Sequence, residues 1–128
     1  MPHEIGTLSA LLVDDDQMII QELVTAIDVT DLFMRVDHAD NLGQASLKLK
    51  AHGYELIILN HKLKDGVGLH LLKEKISPKS VIYTFSSLSD EEIKAAKALG
   101  INNFLPKPYI IENVVELIIS LVGPNYRK

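Results

Sequence analysis

The sequence predicts an α/β fold, a (βα)5 doubly wound domain built on a five-stranded parallel sheet. Five short apolar runs begin near Ala10, Met34, Leu56, Val81 and Asn103. Roughly two dozen residues separate each from the next, enough for a strand, a crossover helix and the return. The stretches between the runs carry helical period and helix stop signals. The conspicuous polar residues fall just after the runs.

Ala10-Leu11-Leu12-Val13 and Leu56-Ile57-Ile58-Leu59 are unbroken apolar runs, as strands covered on both faces require. Val81 to Phe85 is β-branched and aromatic. Arg35-Val36-Asp37-His38 is the most polar run and reads as an edge strand, and Asn103-Phe104-Leu105 ends at Pro106. The first helix is marked by Ile19, Leu23 and Ile27 with Ile20 and Val24 beside them, and Asp15 or Asp16 suits its N-cap. Leu42, Ala45 and Leu49 mark the second, stopped near Gly53. Leu69, Leu72 and Ile76 mark the third, closed by Pro78. Ser89 and Glu92 have capping-box spacing for the fourth, which ends at Gly100. The fifth runs from about Ile110 to Val122 and stops at Gly123-Pro124. One domain over 1–128 is expected, with a core of about 8–122 and a short polar tail at 123–128.

Composition narrows the function. Cysteine is absent, which removes disulfides, thiolate metal sites and cysteine nucleophiles from the options. The net charge is −4 with no long basic run, so the footprint of a stand-alone nucleic-acid binder is missing. No basic region followed by an apolar segment opens the chain. The apolar stretch Ile110–Val122 is interrupted and too short to span a bilayer. These features point to a cytoplasmic protein with no membrane and no direct nucleic-acid partner.

In an open α/β sheet, ligands bind beyond the carboxyl ends of the strands. Asp14, Asp15 and Asp16 follow the first strand, Asn60 the third, Ser86 and Ser87 the fourth, and Lys107 the fifth. Singly, each has an ordinary reading as a cap, a turn residue or a solvated lysine. Their joint placement is what suggests a site.

The chain resembles the receiver domain of bacterial two-component response regulators, which has a flavodoxin-like fold. The resemblance rests on Leu11-Leu12-Val13-Asp14-Asp15-Asp16, Leu56-Ile57-Ile58-Leu59-Asn60, Leu63-Lys64-Asp65-Gly66-Val67-Gly68-Leu69, Gly100 and Phe104-Leu105-Pro106-Lys107-Pro108-Tyr109. It implies that Asp14 and Asp15 occupy the magnesium-binding acidic pair and Lys107 the lysine that neutralises phosphoryl oxygens. It further implies a Lys107–Pro108 step that is commonly cis. The phosphoacceptor position is Asn60, where the family has Asp.

That departure governs the expectation. A carboxylate oxygen attacks phosphorus with a free, charged lone pair, whereas an amide delocalises its lone pair and carries no charge. Phosphoryl transfer to residue 60 by the family mechanism is therefore not expected, and no enzymatic role is expected. Three carboxylates and a lysine give the family pocket a charge of −2, against −1 here, so any Mg2+ site at Asp14 and Asp15 is weakened and no cofactor is required. The family's Thr or Ser position falls on Phe85 by ungapped counting, with Ser86 one place later; both assignments stay open. Lys64 replaces the family's usual proline and, with Lys62, is expected only to solvate a loop.

Three functions compete: a pseudo-receiver acting through protein contacts, a phosphoaccepting receiver carrying an engineered Asp-to-Asn block, and a small α/β ligand-binding domain. The last lacks a Gly-rich phosphate loop after the first strand. The five histidines show no metal-type spacing, and His61 is expected as a surface loop residue. Ser86 and Ser87 lack an evident His-Asp arrangement. The resemblance implies a histidine kinase or a downstream effector as partner. It also points to an interaction face on the fourth helix, fifth strand and fifth helix, at Phe104, Ile111, Val115 and Ile119. The fifth helix is apolar at nine of thirteen positions, more than one buried stripe needs. The surplus implies either an exposed patch closing a C2 dimer or a broad core contact.

Overall fold

The computed structural model describes residues 6–73 and 80–123. The main sheet has the order β2-β1-β3-β6-β7, built from β1 (Leu8–Val13), β2 (Phe33–Ala39), β3 (Leu56–Asn60), β6 (Ser80–Phe85) and β7 (Asn103–Pro106). Every pairing in it is parallel. Helices α1 (Gln17–Thr30), α2 (Leu42–Ala51), α3 (Leu69–Lys73) and α4 (Asp90–Ala98) lie in the crossovers, and α5 (Ile111–Val122) follows the last strand. The five-stranded doubly wound architecture matches the expectation from sequence, with the polar second strand at the edge.

Alternation along the central strands divides the core. Leu11, Val13, Ile57, Leu59 and Tyr83 point to one face and pack with Ala45, Leu71 and Ala96 of α2, α3 and α4. Ala10, Leu12, Leu56, Ile58 and Ile82 point to the other and pack with Leu23 and Ile27 of α1 and Val114 and Ile118 of α5. All five residues of β3 are buried, which is why that strand reads as a solid apolar run.

The caps follow the local chemistry. Asp16, not Asp15, caps α1 by accepting from the Met18 and Ile19 N–H groups. Ser89 and Glu92 form the reciprocal capping box of α4, and Gly100 follows that helix at φ +95°. An element absent from the sequence reading is a two-residue hairpin, β4 (Lys62–Leu63) with β5 (Gly66–Val67), inside the loop after β3. The asparagine-capped start of α2 is tied to this hairpin. The Leu42 and Gly43 N–H groups donate to the Asp65 carboxylate at 2.8 and 3.1 Å.

Of the two accounts of the fifth helix, the core contact is the one the packing favours, and the expectation for His61 is corrected. Of the nine apolar residues on the last helix segment, only Ile110 is exposed. Ile111, Val115, Leu117, Leu121 and Val122 pack against the second core cluster, and Ile119 is half-buried. The broad core contact thus absorbs most of the surplus. His61 is buried rather than a surface loop residue. The expected third-helix positions Ile76 and Pro78, and the tail 124–128, lie outside the described residues. No helix among the described residues is long and apolar enough to cross a membrane.

Candidate functional site

Four strand ends converge at the carboxyl edge of the sheet. β1 delivers Asp14, β3 delivers Asn60, β6 delivers Thr84 to Ser87, and the turn after β7 delivers Lys107. The Lys107–Pro108 peptide bond is cis, as the resemblance implies. Gly68 lets the hairpin loop fold back onto β3, since a Cβ there would run into the Asn60 carbonyl.

Asp14 and Lys107 meet directly. Lys107 Nζ donates to Asp14 Oδ2 at 2.9 Å, and the Asp16 N–H donates to Asp14 Oδ1 at 2.9 Å. Asp14 is buried at 1% exposure, so its charge depends on those donors. Asp15 stands beside it half-exposed, and Asp16 is spent on the helix cap.

Asn60 is held at both ends of its amide by protein atoms. Its Nδ2 donates to the Lys62 carbonyl at 2.7 Å, and its Oδ1 accepts from Thr84 Oγ1 at 3.2 Å. A carbonyl only accepts, so the Lys62 contact fixes which end of the amide faces it. Thr84 lies opposite Asn60 in the β3–β6 ladder and is buried at 1% exposure. Sequence counting passed over Thr84, although a threonine preceding Phe85 in a strand ending at the site was a usable signal.

Phe85 and Ser86 take different places. The Phe85 ring packs edge-on against Phe104, which in turn packs against Tyr83. Ser86 is exposed and lines a cavity of about 210 Å³ with Asn60, His61, Lys62, Ser87 and Glu92. The site therefore gathers Asp14, Asn60, Ser86 and Lys107, with Asp15 at its margin. It turns Phe85 into an aromatic wall shared with Phe104. Ile111, Val115 and Ile119 sit on α5, away from this cluster.

His61 supplies a second layer. The Tyr83 hydroxyl lies 2.6 Å from His61 Nδ1, and Glu92 Oε2 lies 3.1 Å from Nε2. The Leu69 N–H donates to the Tyr83 oxygen, so the hydroxyl hydrogen is free to go to Nδ1 and Nε2–H to Glu92. That tautomer satisfies all three groups. Burial pushes the Tyr83 phenol above its ordinary value, with the Glu92 charge adding to it and the Leu69 N–H opposing it. The Ser89 N–H, then the His61 contact, hold the Glu92 carboxyl below its ordinary range. Burial, then the charges of Asp14, Glu22 and Asp16, push the Tyr109 phenol up, and its buried hydroxyl finds no partner among the described residues.

An acid on β1, an acceptor-position residue at the end of β3 and a lysine before a cis-proline after β7 define a receiver-type pocket. Residues 10–119 match the model of the response regulator receiver domain, and the chain belongs to that family. Among similar proteins, the transcriptional regulatory protein CitB of Klebsiella pneumoniae is 30% identical over 105 residues, covering 80% of this chain and 45% of CitB. The transcriptional regulatory protein DpiA of Escherichia coli K12 is 28% identical over 110 residues, covering 84% of this chain and 49% of DpiA. The chain thus spans about half the length of these regulators. A two-component response regulator from Clostridium difficile superposes with a TM-score of 0.79 at 26% identity, covering 90% of this chain and 95% of that one. A CheY-like receiver domain protein from Methanospirillum hungatei gives a TM-score of 0.79 at 21% identity, over 91% and 93% of the two chains, a likeness of fold.

Proposed function

We propose that this receiver domain signals through protein–protein contacts and does not accept a phosphoryl group at residue 60. The observation that carries the reading is the Asn60 amide, held at both ends by Lys62 and Thr84. The side chain is a neutral amide, and the loop around it is shaped to take an N–H. A carboxylate in its place would set an oxygen against the Lys62 carbonyl oxygen. The donor set suits Mg2+ poorly, since the ion asks for several hard oxygens and half-exposed Asp15 is the carboxylate of the pair without a lysine on it. Both Asp14 oxygens are engaged, Asn60 Oδ1 accepts from Thr84, and Lys107 already neutralises Asp14. No cofactor and no enzymatic turnover enter this reading. A histidine kinase or a downstream effector is the partner, in the cytoplasm, met without a membrane or direct nucleic-acid contact by this domain.

A second reading, a phosphoaccepting receiver with its Asp blocked by substitution, is favoured by the retained Asp14–Lys107 pair. Phe85 weighs against it, because a single blocking change at residue 60 would not also put an aromatic ring there.

Intact-mass measurement after incubation with Mg2+ and a small-molecule phosphodonor separates the two, run beside Asn60→Asp. The proposal expects no phosphoryl adduct on either protein. An adduct on the variant alone supports the blocked receiver, and an adduct on residue 60 of the unaltered chain refutes both.

A further inference from the structure

The edge strand β2 carries features unrelated to the pocket. It is seven residues long, and among the described residues β1 is its one partner strand. An open edge of that length is a template for another strand. Its register slips between Leu8↔Phe33 and Ser9↔Arg35, which leaves Met34 as an extra residue and a bulge at one end. From Arg35 onward the ladder is regular.

Arg35 and Asp37 lie on the α2 face, where Arg35 Nε donates to Asp37 at 2.8 Å, the Tyr54 hydroxyl donates to Asp37, and the Arg35 guanidinium reaches His52. Val36 lies on the opposite face and packs on the α1 side of the core. Four of the five large apolar side chains exposed among the described residues sit on α1, β2 or α2: Met18, Val29, Met34 and Leu47. A groove of about 530 Å³ opens near the carboxyl end of this strand, lined by Gln17, His38, Asp40, Gln44, Leu47 and Lys48.

We propose that a second copy of this chain pairs with the open edge of β2, antiparallel, about a two-fold axis passing through Val36. The charge pattern selects the register. Centred on Val36, the pairing sets Arg35 of each copy opposite Asp37 of the other and Val36 opposite itself. Centred one residue earlier or later, it sets Arg35 or Asp37 against its own like charge, which is unfavourable. A dyad perpendicular to the sheet keeps each face on its own side. It joins two five-stranded sheets into one and brings the α1 and α2 flanks of the copies together, where the exposed apolar residues are. The bulge at Met34 limits the ladder to its regular part, so the association is concentration-dependent.

Sedimentation across a concentration series tests this directly. A reversible monomer–dimer equilibrium is expected, and Arg35→Asp should weaken it by about tenfold or more, because both symmetric pairs turn repulsive. Mixing Arg35→Asp with Asp37→Arg should restore association that neither has alone. Asp37→Arg also strips Tyr54 of its acceptor, so a second measurement avoids that position. His38 is exposed and the chain lacks cysteine, so His38→Cys carries a single spin label. The proposed register places the two labelled Cα atoms about 14 Å apart, whereas a dimer through the β7 edge would set them roughly 40 Å apart or more. A monomer at every concentration, an association indifferent to Arg35→Asp, or labels at the longer separation overturns the proposal. Pairing at this edge does not depend on whether residue 60 accepts a phosphoryl group, so the mass experiment and this one fail independently.

Discussion

At the scale of single residues, an amide and an ion pair organise the pocket. Asn60→Asp keeps the Thr84 contact but exchanges a donated hydrogen bond at Lys62 for oxygen against oxygen. Leaving such a buried group unpaired costs about 1–3 kcal/mol, a loss readable as a lower urea midpoint. Lys107→Met leaves the Asp14 charge buried without its counter-ion and should cost about 3 kcal/mol. The double variant Asp14→Asn/Lys107→Met should recover most of that loss, because no unpaired charge remains; a double-mutant cycle measures the difference. Much of this site was legible in the sequence. Asp14, Asn60 and Lys107 each follow an apolar run, and chain order alone brings strand exits together in a parallel sheet. Thr84 and His61 were not legible. Counting places the family's Thr or Ser on Phe85 or Ser86 and never reaches Thr84, and His61 reads as an ordinary loop residue. Its burial depends on Tyr83 and Glu92, which lie far along the chain and meet it only through folding.

At the scale of elements, side-chain caps set the helix starts. Ser89→Ala removes the acceptor of the Glu92 N–H and should destabilise by about 1 kcal/mol, seen in thermal unfolding. The hairpin β4–β5 is held to α2 by the Asp65 carboxylate. The Leu42 N–H, then that of Gly43, keep its pKa below the ordinary value despite the opposing effect of burial. The folded value thus lies below the unfolded one. The stabilisation is complete above the ordinary carboxylate range and is lost as pH falls through the folded value. Asp65→Asn should accordingly flatten the acid limb of the stability profile below about pH 4 while leaving its shape near neutrality alone. The helix caps were readable from Ser, Asp and Glu at fixed spacings. The hairpin was not, because two-residue strands carry too short an alternation to stand out.

For the whole molecule, β1 and β3 are the axis on which both core clusters are built. Replacing Ile58 by Ala empties volume under α1 and α5 and should cost about 2–5 kcal/mol. The loss should appear as one cooperative transition by far-UV circular dichroism and by tyrosine fluorescence, because the shared strands link the two clusters. The five parallel strands and the four crossovers between them followed from the spacing of apolar runs, and the edge position of β2 from its polar composition. The covering of α5 did not. Its composition gives the number of apolar side chains but not how much of its circumference α1 and the sheet enclose, and the observed packing leaves Ile110 exposed and the other apolar residues buried or half-buried.

The bonding around Asn60 also bears on how the protein ages. An asparagine turns spontaneously into aspartate when the next backbone nitrogen closes on the side-chain carbon, ammonia leaves, and water then opens the resulting cyclic imide. Here that nitrogen belongs to His61, and its N–H is held by the Thr84 carbonyl at 2.8 Å, while the amide is pinned at both ends inside an extended strand. Ring closure would have to break all of these contacts together. The domain is thereby shielded from acquiring, through slow chemical wear, the very carboxylate that its sequence omits.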